Sequence, residues 1–244
     1  MDLNLTNKRA LVCGSTQGIG LASAQALAAM GASVTLLARN EDKLKEAVAT
    51  LDESKGQKHR YLVADFTQTE AVKEAAQKAV KGFGHHQILV NNTGGPAGGP
   101  AHAAHTDEFL QAFSNHLICN QILVQQLLPG MKDSGFGRIV NIISTSVKIP
   151  LNGLGVSNTV RGAVANWSKT LANELGSFNI TVNNVLPGAT ETARLKSIIS
   201  NKAEKTGQTE EAVAQAMLAQ VPMKRFAQAE EVANAVAFLC SPAA

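Results

Sequence analysis

Apolar residues along this chain of 244 residues come in short continuous runs, separated by longer stretches in which they recur every three or four positions. The continuous runs fall at 9–13, 33–38 (Ser-Val-Thr-Leu-Leu-Ala), 60–64, 87–91 (Gln-Ile-Leu-Val-Asn), 138–143 (Arg-Ile-Val-Asn-Ile-Ile) and 180–186. Runs of that length predict strands buried on both faces, as parallel strands are. The periodic stretches lie near 19–29, 41–54, 69–82, 107–133, 155–177 and 229–239 and predict helices. Regular alternation of strand and helix predicts an α/β fold, a doubly wound parallel sheet with helices on both faces. No Pro/Ser-rich linker, repeat or low-complexity tract divides the chain, so residues 1–244 are read as a single domain. Residues 193–220 break the rhythm: they are polar, helical in pattern and inserted between the last strand and the last helix. An insertion there lies past the carboxyl edge of the sheet, where α/β folds bind ligands, and predicts a helical substrate lid. A helical pair with no such role is the plainer reading.

Composition narrows the class. Hydrophobic residues make up 45% of the chain, ample for a packed core, while 20 glycines and only 4% aromatics suit close helix–strand contacts. The net charge of +3 comes without any block of like charge, which argues against a nucleic-acid partner. No uninterrupted apolar run approaches the ~18 residues of a membrane span, so no membrane partner is expected. Cys13, Cys119 and Cys240 are odd in number, scattered and without a CxxC pair, which predicts reduced thiols and no metal site. The first eight residues, Met1 to Lys8, lack the apolar stretch of a secretory leader. A cytoplasmic location is the expectation.

The strongest local signal is Arg9-Ala10-Leu11-Val12-Cys13-Gly14-Ser15-Thr16-Gln17-Gly18-Ile19-Gly20. An apolar strand runs into three glycines spaced G-x-x-x-G-x-G, and an alanine-rich helical segment, Leu21 to Met30, follows at once. Gly14, Gly18 and Gly20 let the backbone turn sharply and approach a diphosphate, with Ser15, Gln17 and Ile19 along the same cradle. The helix start offers free N–H groups and a partial positive charge. That arrangement predicts a dinucleotide cofactor. Arg39 follows the second strand where an acidic residue would match a free ribose 2′-hydroxyl. Its planar fork can pair with a 2′-phosphate, and Ser15 can add a hydroxyl, so NADP(H) is expected over NAD(H); a solvated surface charge is the plain alternative for Arg39. Asp65 and Phe66 end the third strand, where Asp65 can accept from the adenine amine or cap the helix that follows. Asn91-Asn92-Thr93-Gly94-Gly95 ends the fourth strand. Asn91 can secure the sheet edge beside the cofactor and Gly94 leaves room for the ribose, although an Asn-Gly-rich turn would look the same.

With these segments the chain resembles the short-chain dehydrogenase/reductase family, and within it the β-ketoacyl-acyl-carrier-protein reductase branch. Further matching segments are Gly137-Arg138-Ile139-Val140-Asn141-Ile142, Val182-Asn183-Asn184-Val185-Leu186-Pro187-Gly188 and Arg225 to Asn234. The resemblance covers nearly the whole chain. It implies a Rossmann-type fold, NADP(H), a homotetramer, and reduction of a carbonyl such as a 3-oxoacyl thioester to an alcohol, with acyl carrier protein as a candidate partner. It places Pro187, Gly188, Thr190 and Thr192 beside the nicotinamide, with Thr192 contacting the carboxamide or else capping the lid helix. It also implies one more strand after Cys240-Ser241-Pro242-Ala243-Ala244, the strand that builds a subunit contact.

The family's chemistry rests on Ser, Tyr and Lys with a supporting Asn. The Tyr and Lys stand four residues apart on one helix face, where the Lys holds the ribose and lowers the phenol's pKa. Here Ser144 keeps the serine place, Ser157 falls on the tyrosine place and Arg161 on the lysine place, where Arg161 can still bond the ribose. The Asn place falls on His116, or on Asn115 if the helix shifts by one. A serine hydroxyl is a far weaker acid than a phenol, and Arg161 stays protonated at ordinary pH, so this pair cannot supply a neutral-pH proton as Tyr/Lys does. His116 is the expected replacement acid, since an unperturbed imidazolium titrates near 6.5; a helix histidine bonded to a carbonyl is the bland reading. Lys148, His102 and His105 are nearby donors that surface exposure would equally explain. Tyr61, the sole tyrosine, lies on the third strand and cannot take the missing place. Two functions follow: an NADP(H)-dependent carbonyl reductase with a rebuilt proton relay, or a catalytically impaired, regulatory NADP(H)-binding relative.

Overall fold

A computed structural model describes residues 1–244. Six strands, β1 (Arg9–Cys13), β2 (Ser33–Ala38), β3 (Arg60–Val63), β4 (Ile88–Asn91), β5 (Gly137–Ile142) and β6 (Ile180–Val185), form one sheet in the order β3-β2-β1-β4-β5-β6. All pairings are parallel. Successive side chains of a strand point to opposite faces, so β1 sends Ala10 and Val12 to one core and Leu11 and Cys13 to the other. The first core is covered by α1 (Gly18–Ala29), α2 (Glu41–Val48) and α9 (Ala229–Cys240), through Leu27, Leu44, Val236 and their neighbours. The second lies under α3 (Thr69–Phe83), α5 (Cys119–Asp133) and α6 (Gly155–Leu175), through Val72, Leu123, Leu127 and Leu171. This is the expected Rossmann-type sheet with helices on both faces. The strand order runs outward one way from β1 to β3 and the other way from β4 to β6, and a crevice opens at that switch, at the carboxyl ends of β1 and β4. Burial of all three free cysteines pushes their thiols up.

Three details depart from the periodic pattern. The helix expected over 41–54 stops at Val48, and the chain turns through Asp52, whose carboxylate accepts from the Ser54 N–H at 2.8 Å. The stretch 107–133 is not one regular helix: α4 (Thr106–Phe113) passes through a π turn at Ser114–Ile118 before α5 begins. The insertion is two helices, α7 (Ala193–Thr206) and α8 (Glu210–Ala219), divided at Gly207 with φ of 66°. They share a small core of Leu195, Ile199, Ala203 and Val213. The Thr192 hydroxyl caps α7 by accepting from Leu195 N–H at 3.4 Å, and Thr209 caps α8. Two cations latch α7 to the β4–α4 loop: Arg194 donates to the Pro96 carbonyl at 2.6 Å and Lys205 to the Gly98 carbonyl at 3.3 Å. No helix is long and apolar enough to cross a membrane.

Candidate active site

The glycine loop is built by close approach. Gly14 and Gly18 have φ of 57° and 54°, in the region that favours glycine. A Cβ on Gly14 would stand 2.6 Å from the Asn92 carbonyl oxygen, and one on Gly20 would run into the Gly14 carbonyl and stand 2.7 Å from Asn92 Nδ2. Asn92 Nδ2 points toward the Cys13 and Gly14 carbonyls, at 3.3 and 3.2 Å. Ser15 is fully buried and its Oγ accepts from Leu37 N–H at 3.1 Å, tying the loop to β2. Gln17 precedes α1 without a side-chain cap, and the first turn of α1 carries no acidic residue. The N–H groups of that turn therefore face the crevice without a side-chain acceptor, an arrangement that suits a diphosphate. Ile19, half-buried, packs its side chain against the core. The residues present fit the phosphates of a dinucleotide.

At the far end of the cradle Arg39 is exposed just past β2. Asp65 accepts from Thr67 N–H at 2.9 Å, and that hydrogen bond, with a smaller contribution from Arg39, holds its carboxyl below the usual carboxylate range. Arg39 and Asp65 thus flank one end of the crevice. The Phe66 side chain is buried in the core, and its carbonyl takes the Cys119 thiol at 3.4 Å.

The other end of the crevice is assembled from β5, α6 and the π turn. Ser144 follows β5 and its Oγ accepts from Ser146 N–H at 3.1 Å. Ser157 and Arg161 sit one turn apart on α6, both half-buried. Arg161 Nη1 donates to the Ile142 carbonyl at 2.8 Å, which brings its guanidinium to the carboxyl end of β5. Burial, then the Arg194 charge, pushes Arg161 down to about 10. His116 lies in the π turn and is 2% exposed. Burial first, then Arg161 and Arg194, push it down to about 3, while the Gly94 carbonyl works the other way. The imidazolium expected at this position is therefore absent at neutral pH: the place matches, but two guanidiniums and a dry pocket keep the ring neutral. The Asn115 amide turns to the Phe66 carbonyl, 2.8 Å away. Lys148, His102 and His105 are exposed, and the Tyr61 hydroxyl points to Glu41 at 3.2 Å.

The opposite wall is the β6–α7 loop. The Pro187 carbonyl accepts from Thr145 N–H at 3.3 Å, Thr190 Oγ1 donates to the Gly188 carbonyl at 3.2 Å, and Thr192 Oγ1 donates to the Thr190 carbonyl at 3.3 Å. A Cβ on Gly18 would lie 3.1 Å from Thr192 Cγ2, so Thr192 faces the glycine loop while it caps α7. Asn91 turns into the sheet instead. It is paired in register with Asn141, and Asn141 with Asn184. Asn91 Nδ2 donates to Asn141 Oδ1 at 2.8 Å, Asn141 Nδ2 to Ser168 Oγ on α6 at 2.9 Å, and Ser168 Oγ to Asn184 Oδ1 at 2.8 Å. Sequence reading did not single out Asn92, Asn141, Asn184, Ser168 or Arg194. An asparagine at the same depth of three neighbouring strands is the signal that could have found the ladder.

A family model described as short chain dehydrogenase matches residues 8–203. The chain is 32% identical over 243 residues to 7alpha-hydroxysteroid dehydrogenase of Escherichia coli, covering 100% of this chain and 91% of that protein. It is 33% identical over 245 residues to a 3-oxoacyl-[acyl-carrier-protein] reductase of Vibrio cholerae, covering 99% and 93%. Among solved structures it is similar to L-sorbose reductase from Gluconobacter frateurii complexed with NADPH and L-sorbose. That match has a TM-score of 0.91 and 32% identity over 100% of this chain and 93% of that one.

Proposed function

The chain belongs to the short-chain dehydrogenase family, and from that premise we propose that it is an NADP(H)-dependent oxidoreductase reducing a ketone, free or on an acyl thioester, to an alcohol. The observation that carries this reading is the uncapped start of α1 behind Gly14, Gly18 and Gly20, with Arg39 at the end where a 2′-phosphate would lie. The cofactor supplies a hydride when bound. Arg161 keeps N–H donors beyond the one given to Ile142 and can hold the nicotinamide ribose with them. Its fixed charge also stabilises the substrate oxygen as that oxygen becomes negative. Ser144 orients the substrate carbonyl through its hydroxyl. Ser157, on the first turn of α6, relays a proton from ribose or water but does not act as an acid in its own right. A well-placed general acid is worth about 10²–10⁴ in rate, so turnover should be slow by the standard of a Tyr/Lys centre.

The neutral state of His116 favours one second reading, in which the chain binds NADP(H) without turnover. NADPH oxidation followed by absorbance over β-ketoacyl thioesters, diketones and quinones separates the two. The reductase reading expects slow oxidation with at least one class, and a rise of about 10²–10⁴ when Ser157→Tyr is combined with Arg161→Lys. No oxidation above background, by either form and with any class, would leave only the binding role.

A further inference from the structure

Arg161 and Arg194 converge on the crevice from opposite walls, and neither has a carboxylate. The four ion pairs of the chain join Lys45 to Glu41 and Asp42, Lys73 to Glu70, and Arg225 to Glu231. Each guanidinium carries five N–H donors. Within the protein Arg161 donates to the Ile142 carbonyl and Arg194 to the Pro96 carbonyl. Arg194 is exposed as a whole, and its guanidinium rests against the β4–α4 loop, with Nη2 3.2 Å from where a Cβ on Gly95 would stand. The segments that wall this space, 91–105, 114–123, 144–161 and 186–190, contain no Asp or Glu. Glu191, two residues before α7, is exposed and accepts from Gln228 Nε2 at 2.8 Å, and Glu108, in the first turn of α4, is exposed and accepts from His105 N–H at 3.0 Å. The helix that carries Arg194 adds Lys196, Lys202 and Lys205 against Glu204.

Two like charges held together without a counter-ion destabilise one another, and both depress His116 between them. An anion seated between them removes that cost. A carboxylate suits it, because its two oxygens match the fork of a guanidinium. The phosphates of the cofactor already have the start of α1 and Arg39, whereas Arg194 leans over the β4–α4 loop on the His116 side. We propose that Arg194 and Arg161 form the receiving site for the carboxylate of the substrate, so that the enzyme acts on anionic oxo acids in preference to neutral ketones or esters. This rests on the reading that the crevice takes a carbonyl substrate.

The test uses the NADP(H)-saturated protein and two matched pairs: 3-oxobutanoate with its ethyl ester, and 4-oxocyclohexanecarboxylate with its ethyl ester. Binding is measured by titration calorimetry and turnover by NADPH oxidation. At least one acid should bind about tenfold or more tighter than its ester, and Arg194→Gln should erase that preference with NADPH affinity changed less than twofold. Arg194→Lys, which keeps charge without the fork, should recover part of it. Equal binding of acid and ester in both pairs, no binding of either acid, or acid binding untouched by Arg194→Gln overturns the proposal. So does an Arg194→Gln variant that loses NADPH affinity alone, which would assign the anion to the cofactor's phosphate. Acid binding without oxidation would count against the reductase reading and leave the carboxylate site standing. Oxidation with the esters alone would do the reverse.

Discussion

A guanidinium at position 161, where α6 meets the end of β5, fixes what proton chemistry the crevice can perform. It holds charge at any working pH, so it can steady a developing oxyanion but cannot tune a neighbouring hydroxyl as a lysine tunes a phenol. On the proposed reading, cofactor choice rests on Arg39. Arg39→Ala should weaken NADPH by about 10–100-fold, the worth of a hydrogen bond to a charged group, and change NADH by less than twofold. Fluorescence titration with both coenzymes checks this, and an equal loss for both would remove Arg39 from the 2′-phosphate. The positions of Gly14, Gly18, Gly20, Ser144 and Arg161 were legible in the sequence because each depends on local order along the chain. The division of labour between Asn91 and Asn92 was not, since adjacent residues leaving a strand face opposite ways and only the pairing register says which faces the loop. The neutrality of His116 was hidden for a related reason: it depends first on burial in the π turn, then on Arg161, and then on Arg194, which comes from α7, far along the chain.

Between elements, the Asn91–Asn141–Asn184 row with Ser168 ties three strands to the helix that carries Ser157 and Arg161. Asn91 and Asn141 are buried, so deleting the middle amide leaves Asn91 Nδ2 without its acceptor, while Ser168 keeps Asn184 and the Val164 carbonyl. Asn141→Val should cost about 1–3 kcal/mol in urea unfolding and should weaken coenzyme binding, because α6 loses its tie to β5, one of the polar contacts that hold it beside the sheet. A change under about 0.5 kcal/mol, the usual range for surface substitutions, would show that α6 is positioned by its apolar face alone. Strand and helix order could be read from the apolar runs, as could the helical insertion that became α7 and α8. The π turn could not: a search for a 3.6-residue period passes over one extra residue, and here that residue brings His116 inward. The early end of α2 was hidden because Leu51 stays buried beyond it and keeps the apolar pattern going.

At the scale of the whole molecule, two histidines are buried neutral, one at each end of the sheet. His86 donates from Nδ1 to the Gly84 carbonyl at 3.0 Å, meets the Thr35 hydroxyl at 2.9 Å, and is pushed down to about 4, chiefly by burial. His116 is pushed down to about 3. The unfolded chain takes up both protons below about pH 6.5, while the folded chain refuses them until pH is near or below 4. Their contribution to stability is therefore complete above about 6.5 and is lost as pH falls through that window, by up to about 2.7 kcal/mol per pH unit for the two together. Melting temperature should drop steadily between about pH 6.5 and 4.5, above the range where most carboxylates titrate. His116→Gln should flatten that slope, and an unchanged slope would mean that the ring is charged or wet in the folded state. The crevice where β1 and β4 part joins the loop, the lid and the two arginines into one site, and its occupant is the claim on which the rest stands. Titration calorimetry with NADPH tests it most directly. One site per chain is predicted, with the heat abolished by Gly14→Val, whose side chain would collide with Asn92 at a φ of 57°. No heat from NADPH or NADH with the unaltered protein, or undiminished binding by Gly14→Val, would contradict it.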